Sequence, residues 1–498
     1  MIKILKQQVL VSKKILPLFL LLLTVSLAVR CYRPKALTIF LDDQARDVLV
    51  AAQIIKEGKI PFIGPMASIG SLYLGPLFYW VITPFLWLAN FSPVGPILLM
   101  AVLGWLANVV LFFLLAKYLN LRSAFIGAFL YALSPVVVNN TRFIWNPNPV
   151  PLFTLLFLWF FLLFWEKSRS WDLFWAGIAL GVLIQLHYVA GVLFLVALIG
   201  YLVWAAKNKK KDWNKLLKPA GFLLFGIVLP LVPFILFEIK NHLINTRAGW
   251  QFVFGAGPSQ ARLLSPAKAL EDLLTRLTDE ALVVGWGLAY FLVSLLAFLT
   301  LFVKRAFFRV KRLVAWSSFI FLFSLIAAVI IIKGQVHLHY IGLLLPIFFI
   351  IIAGADYFWQ RVKVLGLINL LAVLLILFSF TKSNQKLLFK QNDNQQINRA
   401  QDVAAYIGQK SEDKEIFVTS LSGSPYAYTY RYYLYLDGFK TDSLQPSSVF
   451  AVCEGGDCGD PEGHALWEIA QFGILKTVSS EQVGYGVWVY QLKSADDI

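Results

Sequence analysis

FLDDQARDVLVAAQIIKEGKIPFIGPMASIGSLYLGPLFYW, residues 40 to 80, places two carboxylates, Asp42 and Asp43, about ten residues beyond the first apolar segment, where side chains meet the membrane surface. Arg46, Asp47 and the run from Val48 to Ile55, closed by Lys56-Glu57-Gly58, have helical spacing and a glycine stop. They predict a short helix lying against the bilayer. The stretch ends on a Gly-Pro pair and the aromatic cluster Phe78, Tyr79 and Trp80, of the kind that anchors at an interface. It reads as a folded loop, not a linker.

The rest of the chain supplies the membrane. Of 498 residues, 59% are hydrophobic, 15% aromatic and 14% charged, a balance that a water-soluble domain of this size does not keep in solution. The net charge of +16 raises nucleic acid as a partner, but the aromatics lie in apolar runs and do not alternate with basic residues. No nucleic-acid partner is expected.

Lys3, Lys6, Lys13 and Lys14 precede the apolar run Ile15 to Val29, which ends in Val29-Arg30-Cys31 without a small-x-small cleavage pattern. The run is read as a retained first span with a cytoplasmic N-terminus. Further spans are expected at 95–117, 122–139, 150–165, 172–188, 189–206, 219–238, 284–303, 313–332, 339–356 and 362–380. Basic residues gather in alternate loops, at Lys117/Arg122, Lys167/Arg169, Lys207 to Lys218, Lys304 to Arg312 and Arg361/Lys363. Under the positive-inside rule those loops are cytoplasmic. The parity requires that Pro76 to Ala89, interrupted by Pro84, does not cross. About eleven transmembrane helices result, with the C-terminus outside.

Four other loops then share the outer face with Asp42 and Asp43: Asn139 to Pro149 (NNTRFIWNPNP), the junction at His187 and Tyr188, the long loop Glu238 to Val283, and Lys333 to Tyr340 (KGQVHLHY). In the long loop, Ser265-Pro266 before AKALEDLLTRL carries an N-cap and a first-turn proline, predicting a second surface helix. Residues 385 to 498 are polar, with a helix-like segment Asn398 to Ile407 and strand-like runs at 415–420, 448–453 and 484–492. They read as a soluble extracytoplasmic α/β domain. Cys453 and Cys458 bracket the loop CEGGDC, close enough for one local disulfide if that part lies outside the cytoplasm.

FLDDQARDVLVAAQIIKEGKIPFIGP, GPLFYW, TRFIWNPNPVPLF and IQLHY together resemble the family 39 glycosyltransferases, which include protein O-mannosyltransferases and aminoarabinose transferases. The likeness covers residues 10 to 380 or so. It implies a mainly α, polytopic membrane GT-C fold with juxtamembrane helices in the first external loop, 32–94, within a transferase domain 1–384. It also implies a polyprenyl-phosphate sugar donor and, as acceptor, a protein, lipid or glycan. In that family an acidic pair in the first external loop carries the catalytic aspartate. Here the pair is matched by Asp43-Gln44, so Asp42 and Asp43 are both candidates, with Asp43 favoured because Ala45-Arg46 follows with similar spacing.

The chemistry asks for the same groups. A carboxylate can take the proton of an acceptor hydroxyl as it attacks the anomeric carbon, and one base with a departing phosphate implies inversion. The leaving phosphate needs cations or hydrogen-bond donors. Candidates to contact substrate or phosphate are Arg46, Asp47, Tyr79, Arg142, Asn146, Asn148, His187, Tyr188, Arg247, His337 and His339. The more ordinary reading makes either aspartate a helix cap and each cation an interfacial residue with its head in water. His337-x-His339 lacks a nearby Cys or Glu, so no metal or other cofactor is expected, although a divalent cation serves some GT-C enzymes. The rival functions are a transporter or flippase of lipid-linked sugars, which should place ionisable groups at mid-helix, and a silent membrane scaffold.

Overall fold

The computed structural model describes residues 15–67, 72–208, 213–254, 265–303, 310–331, 342–456 and 458–495. The apolar runs fold, in chain order, as α1 (Ile15–Cys31), the single turn α2 (Pro34–Leu37), α3 (Asp42–Glu57), α4 (Leu77–Leu88), α5 (Val94–Tyr118), α6 (Leu121–Leu133), α7 (Pro135–Asn140), α8 (Val150–Lys167) and α9 (Ser170–Leu186). There follow α10 (Val192–Lys207), α11 (Trp213–Lys240), α12 (Ile244–Phe254), α13 (Pro266–Leu282), α14 (Gly287–Val303), α15 (Lys311–Ile331), α16 (Leu344–Trp359) and α17 (Lys363–Gln385).

Among the described residues, α5, α8, α10, α11, α15 and α17 lie in stretches long and apolar enough to cross a membrane. Shorter apolar helices, α1, α6, α9 and α16, stand at other expected spans, and α13 meets α14 at a 99° bend. The protein is a multi-pass membrane protein. The span expected at 122–139 is broken between α6 and α7, because Pro135 cannot continue the ladder. The second surface helix is α13, whose N-cap Ser265 accepts from Lys268 N at 3.3 Å.

With 12 residues, α4 reaches roughly 18 Å, short of the roughly 30 Å hydrocarbon core. Both its ends are also held at one end of the bundle. Leu77 N donates to Gln185 Oε1 at 3.4 Å, and Phe91 O just beyond α4 accepts from the Tyr432 hydroxyl of the polar C-terminal part. Basic loops collect at the opposite end, through Lys117–Glu166 (2.6 Å), Asn120–Gln360 (2.9 Å) and Arg122–Asp356 (3.1 Å). Close helix packing fixes the bundle between them. A Cβ at Gly177 would meet Leu223 O at 2.4 Å, and one at Gly181 would meet Ile227 O at 2.4 Å, so α9 and α11 touch backbone to backbone.

The polar C-terminal part comprises α18 (Gln396–Lys410), β1 (Phe417–Ser420), α19 (Tyr428–Leu436), β2 (Val449–Glu454), α20 (Trp467–Ala470), β3 (Leu475–Gln482) and β4 (Val487–Ser494). The sheet order is β1-β2-β4-β3, with β1 parallel to β2 and the other pairs antiparallel. Helix α19 is the crossover that a parallel pair requires. Three elements differ from expectation, the single turn α20 among them. The strand β3, LKTVSSEQ, is a mostly exposed edge with little apolar pattern, and α19, YTYRYYLYL, has a composition that favours strands. Cys453 and Cys458 are joined by a disulfide, with Cα atoms 5.9 Å apart. One continuous core runs from the bundle through Ala45, Val48 and Ala52 of α3 to Tyr432 and Leu434 of α19 and on to Val452 and Val489 of the sheet. The opposite sheet face has its own cluster around Phe417, Ala451 and Leu492.

Candidate active site

Helix α3 begins at Asp42, and its start is closed by Gln44, whose Oε1 accepts from Leu41 N at 3.0 Å. The departure from an acidic pair at position 44 thus has a structural consequence, because a glutamine at the third helical position reaches back to the cap. Neither aspartate has to cap its own helix. Both sit in its first turn, where the dipole favours negative charge.

The two carboxylates point to different tasks. Asp42 Oδ1 accepts from Thr429 N and Thr429 Oγ1, both at 3.3 Å. Thr429 lies in the first turn of α19, so Asp42 caps a helix from the far end of the chain. Burial pushes its carboxyl above the usual range, while hydrogen bonds from Ser424, Thr429 and Tyr428 pull it back. Asp43, its side chain 55% exposed, meets Arg46 NH1 at 2.8 Å. It is the accessible carboxylate of the pair.

Arg46 bridges Asp43 to Asp47. Its NH2 and Nε lie 2.8 and 3.0 Å from Asp47 Oδ1, and Asp47 is fully buried with Oδ2 lacking a partner among the described residues. Burial pushes the Asp47 carboxyl up to about 6 against the downward pull of Arg46. For Arg46, burial acts to lower the value, but the neighbouring Asp47 outweighs it and holds the guanidinium charged. Tyr79, buried on α4, interacts with both members of this pair. Asp43, Arg46, Asp47 and Tyr79 therefore come together as one cluster.

Of the remaining candidates, Arg142, Asn146, Asn148, His187 and Tyr188 are engaged elsewhere. Arg142, expected to contact phosphate, instead donates from NH1 to Val29 O (2.6 Å) and Arg30 O (3.2 Å) and from NH2 to Tyr32 O (2.6 Å). It satisfies carbonyls at the C-terminal end of α1, which have no partner inside the helix. Asn146 Nδ2 donates to Leu186 O at 2.7 Å, and Asn148 Nδ2 to Phe143 O at 2.8 Å, so this polar island folds its own loop and ties it to the end of α9. Asn148 also lines a small cavity with Tyr131, Asn140 and Thr141. His187 Nδ1 accepts from Val189 N at 3.3 Å. Tyr188 donates to Tyr73 O, and Tyr73 N in turn donates to Asn245 Oδ1 at 2.7 Å. Arg247 is exposed on α12, and His337 and His339 fall outside the described residues. Among the described residues, no group of three or more His, Cys, Asp or Glu is placed to hold a metal.

Sequence reasoning missed Ser424, Tyr428 and Thr429, because nothing in the chain marks residues nearly 400 positions away as neighbours of Asp42, although the Asp42 to Thr429 separation is 387 residues. The loop that carries them is firmly braced. Thr419 Oγ1 donates to Pro425 O at 2.9 Å, and Arg431 Nε donates to Val418 O at 2.9 Å.

Residues 74–237 match the family described as dolichyl-phosphate-mannose-protein mannosyltransferase. The match begins beyond α3, so Asp42, Asp43 and Asp47 lie outside it. The fold is similar to that of ArnT from Cupriavidus metallidurans, solved bound to undecaprenyl phosphate, with a TM-score of 0.61 at 13% identity over 96% of this chain and 98% of that one. The apo form of the same protein gives 0.59 at 15% identity over 96% and 97%. The Archaeoglobus fulgidus oligosaccharyltransferase, in complex with zinc and sulfate, gives 0.50 at 14% identity over 80% of this chain and 56% of that one. These likenesses establish the GT-C fold. No curated protein matches the chain in sequence.

Proposed function

We propose that this membrane glycosyltransferase of the GT-C fold moves a sugar from a polyprenyl-phosphate carrier to a hydroxyl of a protein, lipid or glycan acceptor at the outer face of the cytoplasmic membrane. The observation that carries the reading is the split between neighbours: Asp42 is tied to Thr429, while Asp43 is exposed beside Arg46 at the end of the bundle away from the basic loops. Asp43 takes the proton of the acceptor hydroxyl. The acceptor oxygen attacks the anomeric carbon, the bond from that carbon to the phosphate oxygen breaks, and the phosphate leaves with the electron pair, inverting the configuration. Arg46, next to the base and still partly exposed, is the cation best placed to meet the developing phosphate charge. The N-terminus is assigned to the cytoplasm and residues 385–498 to the outside, in line with the basic loops gathering at the far end. The family match to dolichyl-phosphate-mannose enzymes supports a lipid-linked donor.

Purified protein incubated with labelled polyprenyl-phosphate sugars and an acceptor mixture should yield a labelled product with the opposite anomeric configuration. Retention of configuration, or label that moves across a vesicle without transfer, would replace this reading.

Two further outcomes separate the carboxylates. Asp42→Ala should keep transfer within about tenfold, since it removes a cap and not the base, while costing about 1 kcal/mol of stability and exposing the 421–427 loop to protease. A loss as deep as that of an Asp43 variant would exchange their roles. The pH response follows from Asp47. Below about 6 its carboxyl is protonated, Arg46 is left to pair with Asp43 alone, and transfer should fall. Stability should move the other way. Because the folded group holds its proton above the ordinary 3.8, its contribution favours folding at low pH and is lost as pH rises through about 6. A rate and a melting temperature that decline together on acidification would contradict the assignment.

A further inference from the structure

We infer that the stacked pair Tyr426 and Tyr428, on the loop leading into α19, is the platform on which a pyranose ring rests beside Asp43. This inference depends on the transfer reaction proposed above and adds the part of the site that holds the sugar. The rings lie with centroids 5.6 Å apart and planes at 27°. Tyr428 interacts with Arg46 and with Asp42, which places the pair next to the acidic end of α3. Tyr426 remains 49% exposed, so part of its side chain is accessible to a ligand.

Two further features show a loop held in a set position. Ala427, between the two tyrosines, has φ 51° and ψ 30°, a left-handed conformation that a residue with a Cβ adopts at a cost. That strain is held by the bonds from Thr419 and Arg431 to the loop and strand, and by Asp42 at the helix start. A rigid aromatic pair costs little further entropy when it binds, and the flat apolar face of a tyrosine suits the C–H face of a sugar while its hydroxyl stays wet. Sites for such ligands combine aromatic faces with few polar groups, and here Arg46, with which Tyr428 interacts, is paired with Asp43 at 2.8 Å.

The test uses the full-length protein in lipid nanodiscs, with Tyr426→Ala and Tyr426→Phe. Tyr426→Ala should raise KM about tenfold for the substrate whose ring is stacked, with kcat little changed, and Tyr426→Phe should restore it. A rise confined to the polyprenyl-phosphate sugar assigns the donor ring, and a rise confined to a glycan acceptor assigns the acceptor ring. Unchanged KM for both in Tyr426→Ala, or a Phe variant as impaired as the Ala variant, overturns the platform. If the native protein transfers no sugar, the reaction proposed above fails on its own. The platform is then judged by saturation-transfer NMR with methyl α-mannoside, where a signal lost in Tyr426→Ala sustains it and no signal from the native protein overturns it.

Discussion

Asp43→Asn lowers the rate of sugar transfer by roughly 10²- to 10⁴-fold, the range that a positioned general base contributes. The substitution is nearly isosteric, and the side chain is 55% exposed, so it opens no cavity and strands no buried charge. Its partner among the described residues, Arg46 at 2.8 Å, can still donate to the amide oxygen. Membrane insertion, yield and melting temperature should therefore match those of the native protein, and KM for the donor should change little. Single-turnover transfer with a labelled lipid-linked sugar reads the chemical step directly. A variant that transfers normally would remove Asp43 as the base, and a variant that fails to fold would show that its contact with Arg46 matters more than its exposure suggests.

The contrast with Asp42 shows what a chain can and cannot reveal about itself. The apolar spans and the glycine stop at Gly58 are local signals, each carried by a few adjacent residues, and each has a structural counterpart in the helices and their ends. The presence of acids at the start of α3 was legible in the same way. Their division of labour was not, because it is decided by Thr429, which arrives through folding of a distant segment. Arg142 teaches the converse. A cation in a polar island looks like a phosphate ligand, but the carbonyls ending α1 create an equal demand that only the fold displays. The helix α19 hid behind its tyrosines, whose β preference yields to burial against Phe40 and α3.

Asp47→Ala should be the most destabilising single change in this site, at about 3 kcal/mol, the lower end of what breaking a buried ion pair costs. The lower end applies because Arg46 keeps a side-chain exposure of 21% and retains Asp43 as a partner. The loss has two sources: Asp47 is fully buried under α4, and its removal takes away the acceptor of Arg46 Nε and NH2, leaving Asp43 as that guanidinium's carboxylate partner. The double variant Arg46→Met, Asp47→Leu tests the second source, since a buried pair replaced by apolar groups of similar volume is often neutral or stabilising. Its melting temperature should return close to the native value. Its transfer rate should not, because the cation beside Asp43 has gone. Recovery of both would reduce Arg46 and Asp47 to packing. Recovery of stability alone keeps their place in the chemistry, with Asp47 acting through the guanidinium it holds.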